Sequence, residues 1–257
     1  MEKPADFLSQ HFTIPHVREV TPQRPLDWLA RGWGDLRDNL GSSVCYGIVF
    51  AVVGYVLLAL TAQRPHLFST AISGFVLIGP LAAAGIYEIS RRYEMGEKPS
   101  FMASLTGLWR RADVLCYFGI LLALTVLVWE RFSALVFAMF YTGDVPDLAH
   151  FFEHILFSGE YTALLATYVL VGGTLAAVVY SVTVVSIPMI IARETDMLTA
   201  MATSVRVVAT NPLPMLVWAL LIALLIVASF ATLMVGLVIL LPVLGHAAWH
   251  AYRDMVA

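Results

Sequence analysis

The sequence predicts an all-α fold, a polytopic bundle of transmembrane helices in a single membrane domain. Of the 257 residues, 60% are hydrophobic and only 13% are charged, whereas soluble domains average about 25% charged residues. The charged residues are also unevenly placed, because long stretches lack Asp, Glu, Lys and Arg altogether. Composition and run length therefore both indicate an integral membrane protein, and the net charge of −3 offers no basic surface for nucleic acid.

The first four predicted spans follow from run length, because a transmembrane helix needs about 20 mostly apolar residues. Residues 44–62 and 67–87 form a hairpin around the loop QRPH. Residues 114–129 form a shorter third run, and residues 161–192 form an uncharged fourth one.

The last uncharged run, residues 207–252, predicts two further spans. As a single helix it would be about 69 Å long at 1.5 Å per residue, which is more than one crossing can use. We therefore expect a turn near residues 228–232 and six transmembrane helices in total.

Charge asymmetry predicts the orientation of these spans. With a cytoplasmic N-terminus, that side carries Lys3, Arg18, Arg24, Arg31, Arg37, Arg91, Arg92, Lys98, Arg110, Arg111, Arg193, Arg206 and Arg253, and the other side carries Arg64 and Arg131. Such a bias is the positive-inside pattern. It predicts both termini in the cytoplasm, with residues 1–24 as a cytoplasmic tail and residues 142–160 outside.

Three similar units are predicted within the membrane domain of residues 25–257. Each unit has a segment of about a dozen residues before an apolar span, and then a second span with a proline. In PLDWLARGWGDLRDNL the apolar residues recur at helical spacing, which is typical of a helix lying at the membrane interface. The units are residues 25–97, 98–196 and 197–257.

The prolines of the second spans are Pro80, Pro188 and Pro242. Proline removes a backbone hydrogen bond and kinks a helix, so each is expected to bend its span over the interfacial helix of its own unit. Tyr87 and Trp249, each seven residues after a proline, are expected at the headgroup boundary with Trp28.

Two interpretations of Glu130 and Arg131 stay open. If residues 133–141 (SALVFAMFY) lie along the membrane surface, the pair marks the external boundary. If the third span continues to Tyr141, the pair is intramembrane and is the best functional candidate, since charges at bilayer depth are usually functional.

Two histidine pairs have helical spacing. His246 and His250 are interpreted as interface anchors at the end of the sixth span. His150 and His154, near Asp147 and Glu153, are a weak candidate metal site on the external side. Cys45 and Cys116 lie in apolar runs and are interpreted as packing residues.

No phosphate-binding loop, dinucleotide turn, zinc-protease motif or serine nucleophile elbow occurs in the sequence. We therefore expect no catalytic residue and no cofactor, and we interpret the chain as a protein other than an enzyme.

The runs RPLDWLARGWGDLRDNLG and GPLAAAGIYEISRRYEMGEKPSF, with NPLPMLVWALLIA and LPVLGHAAWHAYRD near the C-terminus, resemble a bacterial family of integral membrane proteins of unknown function. Some members are labelled cytochrome c oxidase subunits. The resemblance covers about residues 20–255 and implies an inner-membrane protein near respiratory complexes. Oxidase catalysis itself is not implied, because the intramembrane histidines that hold haem and copper are missing.

Two functions are expected from these features. The first is an accessory or assembly factor of a respiratory complex, with the lipid bilayer and respiratory-complex subunits as partners. The alternative is a transporter or lipid-handling protein built around a pseudo-three-fold axis.

Overall fold

The computed structural model describes residues 14–61, 65–140, 158–193 and 195–257, with side chains described from residue 71 onward in the second of these ranges. These residues form helices, turns and loops, together with an isolated β-bridge between Val17 and Val256. The all-α class predicted from composition and apolar run length is therefore confirmed.

The helices have the following bounds in chain order: α1 (Arg24–Asp38), α2 (Leu40–Thr61), α3 (Pro65–Ala82), α4 (Ala84–Glu94), α5 (Phe101–Trp109), α6 (Ala112–Phe140), α7 (Thr162–Thr183), α8 (Ser186–Ala192), α9 (Met197–Thr210), α10 (Pro212–Ala231) and α11 (Leu237–Met255). Five helical stretches of the described residues are long and apolar enough to cross a membrane: Leu40–Thr61, Ala71–Glu94, Ala112–Phe140, Thr162–Ala192 and Pro212–Ala231. The fold is a helical membrane bundle.

Each segment predicted to precede a span is a helix. These helices are α1, α5 and α9, and each is followed within two residues by a long apolar helix. The Ser100 hydroxyl caps α5 by accepting the Ala103 N–H at 3.1 Å, and the Asp196 carboxylate caps α9 by accepting the Thr199 N–H at 2.9 Å. Such caps satisfy N–H groups that the first helical turn leaves unpaired.

The sixth predicted span, α11, differs from the other five. It is 19 residues long, about 28 Å, and only its first half is apolar. Residues 241–249 are all buried inside the protein, where α11 packs mainly against α1, α2 and α4. Of the six predicted spans, α11 is therefore the one that is not among the five stretches apolar enough to cross a membrane by length and composition. Because protein surrounds α11, its second half can carry polar groups that a lipid-facing helix cannot.

Close backbone approach brings α11 against α1 and α2. A Cβ atom added at Gly32 would lie 2.7 Å from the Val243 carbonyl oxygen and 2.7 Å from the Ala247 backbone nitrogen. One added at Gly47 would lie 2.2 Å from the Val238 carbonyl oxygen. Small residues at helix crossings are the usual way that membrane helices approach closely.

The two ends of the described chain pair with each other. The Arg18 N–H donates to the Met255 carbonyl at 2.9 Å, and the Ala257 N–H donates to the His16 carbonyl at 3.0 Å. Asn211, between α9 and α10, also holds this N-terminal segment, because its side-chain oxygen accepts the Val20 N–H at 2.8 Å. The segment before α1 and the end of α11 therefore lie side by side.

The prolines affect their helices in different ways. Two residues after Pro80, α3 ends and α4 begins beyond Ala83. The helix is interrupted before Pro188, at residues 184–185. In a continuous helix the Pro188 ring would clash with the carbonyl of residue 184, four residues back. Pro242 lies inside α11, which continues through it as a single helix.

The helix that follows or contains each proline packs on the interfacial helix of the next unit. The contacts are α4 on α5, α8 on α9, and α11 on α1, which closes a ring. The expectation that each would pack over the interfacial helix of its own unit is wrong. The reason is that the chain leaves α4 and α8 by short loops directly into α5 and α9, and consecutive elements usually become neighbours.

Candidate functional site

A cavity of about 210 Å³ lies between the helices of the bundle, and we call it the central cavity. Its wall is formed by residues of α2, α3, α4, α7, α10 and α11 together with Ala83 and Val184. No Asp, Glu, Lys, Arg or His side chain is among the residues that line it. The central cavity is therefore suited to an uncharged, mainly apolar molecule.

Few polar side chains reach this wall. The Tyr180 hydroxyl donates to the Met215 carbonyl at 2.8 Å, and the Thr183 hydroxyl donates to the Val179 carbonyl at 2.8 Å. Trp218 and Tyr87 also line the cavity. The hydroxyl groups of Tyr180 and Thr183 thus already donate their protons to backbone carbonyls.

Pro80 contributes to the shape of this cavity. It lines the cavity together with Gly79, and the helix is interrupted shortly after it at Ala83. A Cβ atom at Gly79 would meet no other atom within 4 Å, so there is free space next to the backbone here. The proline kink expected in this span is thus at the wall of the central cavity.

A second polar feature, the histidine cluster, joins α11 to three other helices and consists of Asp35, Ser43, Ser90, His246 and His250. His246 is fully buried: its Nε2 lies 2.9 Å from the Ser43 hydroxyl and its Nδ1 lies 2.7 Å from the Ser90 hydroxyl. Because a neutral imidazole has one donor and one acceptor nitrogen, one serine donates to the ring and the other accepts from it.

His250 continues this cluster toward the end of α11. Its Nε2 lies 2.8 Å from a carboxylate oxygen of Asp35, and the same oxygen lies 4.0 Å from Nδ1 of His246. The interpretation of His246 as an interface anchor is wrong, because its side chain has no exposed surface. It links α11 to α2 and α4 within the protein.

Asp254 anchors the end of α11 to α1. Its carboxylate accepts hydrogen bonds from the Trp28 indole at 2.8 Å and from Arg31 at 2.6 Å, and Arg24 lies 3.0 Å away. Burial by itself would raise the pKa of Asp254, but the hydrogen bonds from Arg31 and Trp28 and the nearby arginine charges outweigh it and lower this pKa. Asp254 is therefore held as a carboxylate.

Two glutamates of α4 make further ion pairs at this end of the bundle. Glu88 is nearly fully buried and accepts from Arg91 and Arg92 of the same helix at 2.7 Å each. Glu94 accepts from Arg253 at 3.0 Å and from the Trp249 indole at 3.3 Å. The contacts of Glu94 tie α4 to α11.

Three aromatic residues expected at the headgroup boundary are inside the protein instead. Trp28 is 0% exposed, Trp249 is 2% exposed and Tyr87 is 4% exposed. Both indole N–H groups find a carboxylate partner inside the protein: Trp28 on α1 donates to Asp254 of α11, and Trp249 on α11 donates to Glu94 of α4. Trp33 on α1 remains exposed, and the Arg37 guanidinium lies 5.4 Å above its ring.

Glu130 and Arg131 lie within a continuous helix. Because α6 runs on to Phe140, the interpretation of the segment from residue 133 onward as a separate surface stretch is wrong. Glu130 comes 18 residues after Ala112, which is about 27 Å along the helix and close to the ~30 Å thickness of a hydrocarbon core. The Arg131 guanidinium lies 3.2 Å from the Glu130 carboxylate, and its side chain is 83% exposed.

The proposed metal ligands His150 and His154 lie outside the described residues. Among the described residues there is no group of three or more His, Cys, Asp or Glu side chains that could hold a metal ion. Cys45 and Cys116 are free and exposed on α2 and α6, so they are not the buried packing residues that the sequence suggested.

Sequence reasoning missed the partners of α11. His246, His250 and Asp254 are spaced four residues apart, which places them on one helix face, and Trp28, Arg31 and Asp35 form a similar stripe on α1. Matching these two stripes would have predicted their contact. No comparable signal marks Trp218 within the apolar run of α10.

Comparison with known proteins finds one family. Residues 67–192 match the model of a family described as "predicted integral membrane protein (DUF2189)", whose function is unknown. The match extends from α3 through α8 and confirms the resemblance to an integral membrane family over these residues. No curated protein and no solved structure matches the chain.

Proposed function

We propose, starting from this match to a family of integral membrane proteins, that the chain binds an apolar molecule from the bilayer in its central cavity. The observation that carries this proposal is the cavity itself, an uncharged space of about 210 Å³ inside the bundle. On this proposal the chain is a lipid-handling or transport protein rather than an enzyme.

Size and lining support an apolar occupant. An engineered apolar cavity of about 150 Å³ stays dry and binds benzene, so about 210 Å³ has room for a ring or part of an acyl chain. Lipid tails are as apolar as the cavity wall, so the hydrophobic effect adds little when a molecule moves in from the bilayer. Affinity would come from dispersion contacts between the bound molecule and the cavity wall, which are missing while the cavity is empty.

A pseudo-three-fold arrangement supports the same function, and we propose that the three units are true repeats. The helices α4, α8 and α11, which follow or contain the three prolines, contact one another, and each also packs on the next interfacial helix around the ring. Asn39 and Asn211 end α1 and α9 alike, each side-chain amide donating to the carbonyl four residues back. The central cavity is bordered by the second spans of all three units.

A matched pair of variants tests this function. Ala176 lines the cavity, whereas its neighbour Ala177 does not, and both residues are exposed positions of α7. Bromobenzene, which fits the cavity, should raise the melting temperature of the purified wild-type protein and of Ala177→Phe. Ala176→Phe fills the cavity and should lose this stabilisation. Equal responses of all three proteins would contradict the proposal.

A second candidate function is an accessory or assembly factor of a respiratory complex, with subunits of that complex as partners. The family resemblance favours it, since some members are labelled oxidase subunits. Purification in a mild detergent tests it: oxidase subunits should co-purify at constant ratio, and their absence from the purified protein would contradict this function.

We also propose that the protein lies in a bacterial inner membrane with both termini in the cytoplasm. Thirteen lysines and arginines against two support this orientation. Pairing of residues 16–18 with residues 255–257 favours an even number of crossings, which requires α11 to cross as the sixth helix. At about 28 Å it is long enough.

A further inference from the structure

The Trp218 side chain has an unpaired hydrogen-bond donor at the central cavity. Trp218 is 0% exposed, and its indole N–H has no hydrogen-bond partner in the described part of the protein. Its ring lines the cavity and packs edge-on against Trp28, with ring centroids 5.7 Å apart. Buried donors nearly always have a partner, so this one calls for an explanation.

Tyr87 provides a second donor on the same wall. Tyr87 is 4% exposed and lines the cavity, and its hydroxyl forms no hydrogen bond among the described residues. Tyr180 differs, since its hydroxyl donates to the Met215 carbonyl. Two residues of the cavity wall therefore carry a hydrogen-bond donor without a partner among the described residues, one on α10 and one on α4.

The geometry points to a neutral apolar molecule with a carbonyl oxygen as the ligand of the central cavity, and we assign Trp218 as its main hydrogen-bond donor with Tyr87 as the second. This assignment rests on the proposed function, because it specifies which apolar molecules the cavity prefers. Indole N–H is a donor only, so its partner must be an acceptor. A carboxylate is disfavoured because no cationic side chain lines the cavity.

Carbonyl oxygens on apolar molecules come from two sources in a membrane. One is the ester of an acyl lipid, and the other is a ring ketone such as a quinone. Both present small carbonyl acceptors on an otherwise apolar body, which matches two donors in an otherwise apolar wall. A plain hydrocarbon would fill the same space and leave both donors unpaired.

Trp129 provides an internal control. Its indole N–H is also buried without a partner among the described residues, but Trp129 packs on Tyr168 and does not line the central cavity. An unpaired indole alone therefore does not define the site. What distinguishes Trp218 is its position on the cavity wall.

Indole ¹H–¹⁵N spectra of the full-length protein in detergent test the assignment directly. The chain has six tryptophans, and the Trp218→Phe variant identifies the Trp218 signal. The probes are methyl laurate for an ester, 2-methyl-1,4-naphthoquinone for a ring ketone, and dodecane for a hydrocarbon without an acceptor. A carbonyl probe should move the Trp218 N–H proton downfield and leave the Trp129 signal in place, whereas dodecane should not shift it in this way.

Binding constants give the second readout. Trp218→Phe should lower the affinity for the carbonyl probe about tenfold, which is the typical effect of losing one hydrogen bond, and should leave the affinity for dodecane unchanged. Tyr87→Phe keeps the ring and removes a single oxygen, so it tests the second donor even if the Trp218 variant fails to fold.

The outcomes separate this assignment from the proposed function. If only one of the two carbonyl probes binds, the assignment is supported, and the probe that binds identifies the ligand's carbonyl as an ester or a ring ketone. Equal binding of dodecane and the carbonyl probes, with no effect of either variant, would overturn the assignment and leave the cavity function intact. Absence of binding for all three probes would overturn both.

Discussion

Replacing Gly32 by alanine should separate α1 from α11 and destabilise the protein, whereas the same change at Gly34 should not. Both residues lie in α1. A Cβ atom at Gly32 would lie 2.7 Å from two backbone atoms of α11, and one at Gly34 would meet no other atom within 4 Å. Backbone atoms cannot rotate away as a flexible side chain does, so the two helices must move.

The size of the effect follows from comparing the two variants. Each gains about 0.5–1 kcal/mol because alanine favours a helix over glycine, and this gain cancels in the difference. At Gly32 the helices must move apart by about 0.7 Å to restore an ordinary contact of 3.4 Å. Overpacking of this kind costs about 1–3 kcal/mol, which is the expected difference in free energy of unfolding.

Equilibrium unfolding in mixed detergent micelles measures this difference, with tryptophan fluorescence as the signal. Gly34→Ala should be as stable as the wild type or slightly more stable, and Gly32→Ala should be less stable than both. If the two variants unfold at the same denaturant concentration, α1 and α11 do not approach as closely as described, and the argument for a buried α11 loses its support.

Further predictions concern the end of α11 and the topology. The Asp254 carboxylate should contribute its full stability above the ordinary aspartate pKa of about 3.9, and this contribution should be lost as the pH falls through the lowered pKa of Asp254 in the folded protein. Asp254→Asn should therefore destabilise the protein at pH 7 and make its stability less dependent on acid pH. His246→Leu leaves two serine hydroxyls without their partner and should cost about 1–2 kcal/mol, whereas His246→Gln should recover part of this in the same unfolding measurement. A periplasm-active reporter fused at Asp144 should be active, and activity of a cytoplasmic reporter there would contradict the proposed orientation.

The number and nature of the membrane helices could largely be predicted from the sequence. Apolar run length predicted the five apolar spans, and it divided the last run into α10 and α11, although the turn lies at residues 232–236 rather than 228–232. Helical spacing of apolar residues likewise predicted α1, and similar short segments before the next spans predicted α5 and α9. These features are local, because a single helix satisfies its own backbone hydrogen bonds in a membrane.

The candidate site could be predicted only in part. The kink at Pro80 follows from proline chemistry, but nothing local indicates that this kink borders a cavity. Trp218 looks like any apolar residue of α10 until the helices around it are assembled. The histidines of α11 were visible, yet their interpretation as interface anchors assumed that the end of the helix faces lipid headgroups.

By itself the sequence determined that the chain is a helical membrane protein and where most of its helices lie, because hydropathy and proline act within one segment. Only the tertiary structure decided which helix is surrounded by the others. That choice depends on small residues such as Gly32 and Gly47 meeting the backbone of α11, more than 190 residues away in the chain. Pairing over such distances buries Trp28 and His246 and brings the walls of the central cavity together, and no local pattern encodes it.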